Sequence, residues 1–178
     1  MLYMVIALKS EAQAFVDKYK LKKEKLIGFS TFVGSDITII VCGIGIANAK
    51  EATLCLVKNY KLNNDDIFVN VGICAADKKY NIGQLLEIGS IEYNNHTYVY
   101  NNLKESITCL NEEATDDKYK IVDMESFGFY DALKDHKHNF YIFKVVSDHF
   151  EPSKVTKDST KKLIFNVIDD ILQRIQKC

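Results

Sequence analysis

Three short, strongly apolar segments constrain the fold of this chain more than any other sequence feature. They span residues 2–8, 67–71 and 140–146 of the 178. The first is continuous, without the alternation of a half-exposed strand, and is too short to cross a membrane. Strands that are covered by helices on both faces of a sheet have this pattern. The segments therefore predict interior strands of an α/β sheet.

The segments between these strands complete the predicted architecture. Helical periodicity predicts helices, and short β-like runs predict further strands. The predicted helices are 10–20, 47–60, 124–136 and 155–176, and the further strands are 25–34, 36–42, 84–93, 96–101, 106–110 and 121–122. Strand–helix alternation at both ends with a β-rich centre predicts a three-layer αβα domain around a central mixed β-sheet. No repeat or boundary divides the chain, so we expect a single domain over residues 1–178.

Composition excludes two classes of partner and indicates a compartment. The formal net charge is −1 and the pI is near 6.4, which removes the electrostatic argument for nucleic acid or an anionic membrane. Five cysteines occur, an odd number without CxxC spacing, and the N-terminal segment has no preceding basic region. We therefore expect buried thiols and a cytoplasmic protein. The cysteines are Cys42, Cys55, Cys74, Cys109 and Cys178.

Candidate functional residues follow the predicted strands, because open α/β sheets bind ligands beyond the carboxyl ends of their strands. Each has a structural alternative: an acidic residue can begin a helix, a glycine pair can be a simple turn, and an aspartate can cap a loop. Their shared position is the informative feature. These residues are Glu11, Gly43, Gly45, Gly72, Glu125 and Asp148.

Two motifs in the second half of the chain resemble those of a known family. Val122-Asp123-Met124-Glu125-Ser126 resembles the Met-Glu motif of the nucleoside phosphorylase and nucleosidase superfamily, and Val146-Ser147-Asp148 resembles its Ser-Asp motif. The first half adds three segments in the same order as in methylthioadenosine/S-adenosylhomocysteine nucleosidases. They are Ile6-Ala7-Leu8 with Glu11, Cys42-Gly43-Ile44-Gly45 with Asn48-Ala49, and Val69-Asn70-Val71-Gly72. The resemblance covers most of residues 1–76 and 119–178.

The resemblance implies a role for each matching residue. Asp148 is expected to deliver a proton towards purine N7, with Ser147 orienting it. Glu125 is expected to bind the ribose 2′-hydroxyl, Met124 to pack against the sugar, and Glu11 to activate water. Gly72, Cys42 and Gly43 are expected to contact the substrate, and Cys42 stands where a serine is usual.

The arginine count favours one branch of the superfamily. Phosphorylases typically hold phosphate with arginines, and this chain has one arginine, Arg174, in the terminal helix. We therefore expect a hydrolase that cleaves the N-glycosidic bond of a purine nucleoside with water. Two alternatives stay open: a phosphorylase with a lysine-based phosphate site, and a non-catalytic nucleoside-binding descendant.

The remaining expectations concern cofactors, assembly and the base. His136, His138 and His149 lack companions at zinc spacing, so we expect no metal and no cofactor. The family implies a homodimer as the candidate assembly. The central region is shorter than is usual in the family, and Glu112 or Glu113 lies near the position of the aromatic residue that stacks on the purine.

Overall fold

The computed structural model describes residues 1–26, 28–102 and 104–176. Within these residues, ten strands form one sheet, accompanied by four α-helices and a 3₁₀ turn at Pro152–Lys154. The strands are β1 (Leu2–Ile6), β2 (Lys22–Leu26), β3 (Phe29–Val33), β4 (Ile37–Val41), β5 (Ile67–Ala76), β6 (Leu85–Tyr93), β7 (His96–Val99), β8 (Glu105–Cys109), β9 (Ile121–Asp123) and β10 (Asn139–Asp148). The helices are α1 (Lys9–Tyr19), α2 (Ile46–Asn59), α3 (Ser126–Leu133) and α4 (Lys157–Gln176).

The three apolar segments form the centre of the sheet, as predicted. β1 pairs in parallel with β4 and β5, and β5 pairs in parallel with β10. Helices α1 and α4 pack together over one face, and α2 and α3 pack together over the other. The predicted three-layer α/β architecture around a mixed sheet is therefore confirmed.

The sheet closes on itself at one end, which the sequence did not indicate. Five strands form a circuit in which each pairs with the next, in the order β5, β10, β6, β8, β9 and back to β5. β5 and β10 have ten residues each, twice the length of β1. They are therefore long enough to serve both the parallel sheet and the closed circuit.

One edge of β5 contains a gap between two strand ends. β10 occupies the other edge from Ile67 to Ala75. On this edge β1 pairs in parallel up to Asn70, and β9 pairs antiparallel at Ala75 and Ala76. Among the described residues, 71–74 of β5 have no strand partner on this edge. β1 and β9 approach the gap from opposite directions, so the residues that follow each strand meet over the middle of β5.

Several predicted boundaries were wrong. β5 continues past Gly72 to Ala76, and β10 continues past Val146 to Asp148, because both extend into the closed circuit. The predicted strand 25–34 is two strands, β2 and β3, with Ile27 between them outside the described residues. The predicted helix 124–136 is shorter, since α3 runs from Ser126 to Leu133.

Two further expectations can be compared with the structure. Cys42, Cys55, Cys74 and Cys109 are buried free thiols, as predicted, whereas Cys178 lies outside the described residues. Among the helices in the described ranges, none has both the length and the apolar character needed to cross a lipid bilayer.

Candidate active site

A pocket of about 270 Å³ lies over the gap in β5. Five of the eight predicted site residues line it: Glu11, Met124, Glu125, Ser147 and Asp148. The other lining residues are mostly apolar or acidic. They are Ala7, Leu8, Ile44, Ile73, Cys74, Ala75, Leu110, Glu112, Glu113, Ala114, Val122, Asp123, Pro152 and Val155.

Glu11 connects the start of α1 to the gap in β5. Its Oε2 accepts a hydrogen bond from the Leu8 N–H at 2.7 Å, and its Oε1 accepts one from the Ile73 N–H at 2.9 Å. Glu11 was interpreted either as a residue that begins a helix or as a site residue. The two interpretations are compatible, since the same carboxylate binds the start of α1 and faces the pocket. Burial raises the pKa of Glu11 to about 7, although the two N–H groups lower it. A carboxyl group with this pKa can exchange a proton near neutral pH.

Glu125 follows β9 and contacts the glycine turn after β4. Its Oε1 accepts a hydrogen bond from the Gly45 N–H at 2.9 Å. Gly43 and Gly45 have φ angles of 84° and 109°, which a glycine adopts without strain. Burial raises the pKa of Glu125 above its ordinary value, while the Lys144 ammonium lowers it. The side chain contacts a different element, so it is not a cap of its own helix.

Cys42 and Gly43 do not line the pocket. The Cys42 Sγ–H donates a hydrogen bond to the Gly43 carbonyl at 3.0 Å. Burial, together with the charges of Glu125 and Glu11, raises the pKa of Cys42 to about 12. The thiol is therefore neutral at pH 7, and Ile44 is the residue of this turn that reaches the pocket.

Ser147 and Asp148 reach the pocket from the end of β10. The pairing of β10 with β5 shifts by one residue between Val146 and Asp148, an irregularity of the kind that redirects side chains near active sites. The Ser147 Oγ lies 2.7 Å from Asp148 Oδ2 and 3.1 Å from the Cys74 carbonyl oxygen. The Glu151 N–H donates to Asp148 Oδ1 at 2.8 Å. These contacts hold the Asp148 carboxyl in one orientation.

Two site residues were not assigned a role from the sequence, Lys144 and Asp123. The fully buried Lys144 ammonium forms an ion pair with Asp123 Oδ2 at 2.7 Å. Burial alone would lower the pKa of Lys144, but the carboxylates of Asp123, Glu125 and Glu11 raise it. Asp123 also accepts hydrogen bonds from the Ser126 N–H and hydroxyl group. A lysine within the apolar segment 140–146 was the sequence signal for this pair.

Gly72 allows the buried charges to approach β5. It lies within the strand and pairs with Lys144 of β10. A Cβ atom at this position would lie 3.3 Å from Glu11 Oε1 and 3.5 Å from Lys144 Nζ. The expectation that Gly72 contacts the substrate is untested, and the residue does not line the pocket. Its structural role is to leave room for the Glu11 carboxylate.

The loop between β8 and β9 forms the outer part of the pocket. It contributes Leu110, Glu112, Glu113 and Ala114 to the lining. Both glutamates are exposed, and neither side chain has a hydrogen bond or ion pair with another residue in the described ranges. Among the described lining residues there is no aromatic side chain.

The arrangement brings the Glu11, Glu125 and Asp148 carboxyl groups to one pocket, where they can accept hydrogen bonds from a bound ligand. Glu11 can also accept a proton near neutral pH. Several carboxylates around one pocket can also stabilise a positive charge. Cys74 lines the pocket, but burial raises the pKa of its thiol, which argues against a thiolate nucleophile.

Comparisons with known proteins support the same fold. No protein-family model matches the sequence, and a search of curated proteins finds no match. Solved structures do match. The 5′-methylthioadenosine/S-adenosylhomocysteine nucleosidase of Helicobacter pylori matches with a TM-score of 0.79 at 10% identity, over 99% of this chain and 98% of that chain. The corresponding nucleosidase of Neisseria meningitidis gives 0.78 at 14%, over 99% and 98%.

Futalosine hydrolase of Helicobacter pylori matches equally well, with a TM-score of 0.79 at 11% identity over 99% of this chain and 97% of that chain. The chain therefore shares the α/β fold of these two nucleosidases and this hydrolase. The fold implied by the sequence motifs is confirmed, and at these identities the likeness extends to the fold alone.

Proposed function

We propose that this protein is a purine nucleoside hydrolase that cleaves the N-glycosidic bond with water, with a substrate resembling methylthioadenosine. One observation carries the proposal: Glu11, Glu125 and Asp148, which come from three distant parts of the chain, line a single pocket. The matched solved structures support it, since their names describe nucleosidases and a futalosine hydrolase.

Asp148 acts as the general acid in this proposal. When the bond between C1′ and the purine breaks, the electron pair leaves with the base, and a proton on N7 neutralises it. General acid catalysis of this kind contributes roughly 10²–10⁴-fold. The Ser147 hydroxyl and the Glu151 N–H contact the two oxygens of Asp148, which holds the carboxyl group in one orientation.

Glu11 acts as the base for the attacking water. The water oxygen forms a bond with C1′, and one water proton passes to the Glu11 carboxylate. Its pKa of about 7 suits this step, because a base works best when its pKa is near the working pH. Glu125 binds the 2′-hydroxyl and, together with Glu11, stabilises the positive charge that develops on the ribose. Met124 packs beside the sugar.

The charges around the pocket favour water over phosphate. None of the described lining residues is a lysine or an arginine. Lys144 lies in the sheet beneath the pocket and is paired with Asp123. Arg174 lies in α4, with a guanidinium nitrogen 3.8 Å from Glu87 Oε2. A phosphate dianion in the pocket would therefore meet carboxylates and no cation, which argues against phosphorolysis.

The test measures purine release from methylthioadenosine and adenosine, with and without inorganic phosphate. We expect free base and free sugar at a rate that does not change with phosphate. A rate that requires phosphate, with a sugar phosphate as product, would identify a phosphorylase. Nucleoside binding without base release would identify a non-catalytic binding protein.

A further inference from the structure

The charged residues that line the pocket all have the same sign. Six carboxyl groups face it, and among the described lining residues there is no lysine, arginine or histidine. They are Glu11, Glu112, Glu113, Asp123, Glu125 and Asp148. Lys144 is the nearest buried cation that the contacts show, and Asp123 pairs with it directly. The pocket is therefore an acidic cavity.

The inner carboxylates have partners, whereas the outer two do not. Glu11 accepts two backbone N–H groups, and Glu125 accepts one. Glu112 and Glu113 are exposed and make no side-chain contact of this kind with the described residues. Ionised carboxylates only accept hydrogen bonds, so these two are available to N–H groups on a ligand. We call Glu112 and Glu113 the rim pair.

The apolar part of the lining does not provide an aromatic ring on which a base could stack. No aromatic ring lines the pocket within the described residues, and its apolar surface consists of aliphatic side chains, Met124, Cys74 and Pro152. Stacking on an aromatic ring is therefore not available to discriminate between bases. The charge of the ligand and its hydrogen-bond donors are properties that the acidic part of this lining can distinguish.

We infer that the pocket selects nucleosides by charge, and that the rim pair sets this preference. Nucleosides with a protonated amino group or a cationic base bind more tightly than neutral ones, and nucleosides with a phosphate or carboxylate bind least. The inference rests on the proposed function in one respect, that the pocket binds nucleosides. Clefts lined by one sign of charge concentrate ligands of the opposite sign, and salt weakens this effect.

A matched series of ligands tests the inference. Dissociation constants are measured by calorimetry for 5′-amino-5′-deoxyadenosine, adenosine and adenosine 5′-monophosphate, and for 1-methyladenosine, whose base is cationic. The Asp148→Asn variant is used so that turnover does not interfere. At low salt we expect the amine to bind at least about fivefold tighter than adenosine and the monophosphate at least about tenfold weaker, with both ratios shrinking as salt is raised.

Variants of the rim pair locate the effect. Glu112→Gln with Glu113→Gln, added to the same background, is expected to reduce the preference for at least one of the two cationic ligands about threefold or more. The control is Glu24→Gln with Glu51→Gln, which changes net charge equally at two exposed sites on β2 and α2. It is expected to leave the ratios unchanged.

The outcomes separate this inference from the proposed function. Equal affinities for the amine, adenosine and the monophosphate would overturn charge selection, even if the wild-type protein releases base. Equal ratios in the rim-pair variant and the control would overturn the assignment to Glu112 and Glu113. Charge-dependent binding with no base release from any nucleoside would support this inference and overturn the hydrolase.

Discussion

The floor and the rim of the pocket differ in how their negative charges are compensated. The floor cluster, defined as Glu11, Asp123, Glu125 and Lys144, is buried, and each of its carboxyl groups accepts at least one backbone N–H. The rim pair is exposed and lacks such contacts within the described part of the chain. The floor therefore has a fixed geometry, whereas the rim has charges free to meet a ligand.

The difference follows from the free energy of burying charge. A buried ionised group is strongly destabilising unless a counter-charge and hydrogen bonds compensate for it. The floor cluster has both: Lys144 supplies the counter-charge, and backbone N–H groups supply the hydrogen bonds. An exposed carboxylate keeps its water and has no such requirement. Substitutions in the floor should therefore change folding and chemistry, and substitutions in the rim should change affinity.

The largest expected effect comes from removing the floor's cation. Lys144→Met leaves Glu11, Asp123 and Glu125 without a counter-charge in the sheet, so we expect the free energy of unfolding to fall by about 3–5 kcal/mol. Urea denaturation at pH 7 measures it. The matched control is Lys161→Met, which removes an ion pair with Asp17 in which both partners are about 40% exposed; it should change stability by less than about 1 kcal/mol.

A second variant covers the case in which Lys144→Met does not fold. Lys144→Met with Asp123→Asn removes both charges of the buried pair, so it should recover part of the lost stability. If Lys144→Met alone behaves like Lys161→Met, the floor cluster is not the electrostatic unit described above.

The next effect concerns the chemistry and not the fold. Asp148→Asn removes the transferable proton while keeping the shape of the side chain, so kcat should fall at least about a hundredfold. Purine release at saturating nucleoside measures it, with circular dichroism to confirm folding. Asp170→Asn, at an exposed position on α4, should retain full activity. An unimpaired Asp148→Asn enzyme would show that another group protonates the purine.

The central strands and the acidic residues of the site could be predicted from the sequence because their signals are local. The apolar segments marked β1, β5 and β10. Glu11 and Glu125 follow β1 and β9 within a few residues, and Asp148 is the last residue of β10. The prediction used parallel strand ends to bring them together. Glu125 instead follows β9, which runs antiparallel to β5. The same residues therefore meet, but not at the ends of strands that are all parallel.

The contacts within the floor cluster could not be predicted, because they depend on strand pairings between residues far apart in the chain. Gly72 was expected at a strand end, and its position opposite Lys144 follows from the register between β5 and β10. The Lys144–Asp123 pair likewise joins β10 to β9. Closure of the sheet into a circuit is set by β6, β8 and β9, whose short patterns do not specify partners.

The last effect, about tenfold per pH unit, is a pH dependence that distinguishes floor from rim. Burial raises the pKa of Glu11 from 4.5 to about 7, so the carboxyl group is protonated below that pH and cannot accept a proton from water. We therefore expect kcat/KM to rise about tenfold per pH unit up to about pH 7 and then level off. The same shift means that the folded protein binds this proton more tightly than the unfolded chain. Stability due to Glu11 is thus complete below pH 4.5 and is lost as pH rises through about 7.

Two variants show which carboxylate is responsible for that rise. In Glu11→Gln the remaining rate should no longer increase through pH 7, because the titrating base has been removed. In the rim-pair variant the increase should persist at the same pH, since the protonation of Glu11 depends on burial, on the Leu8 and Ile73 N–H groups and on the neighbouring floor charges. If the pH profile changes in the rim-pair variant and stays the same in Glu11→Gln, the assignment to Glu11 is wrong. The exposed carboxylates would then control the pH dependence of the reaction.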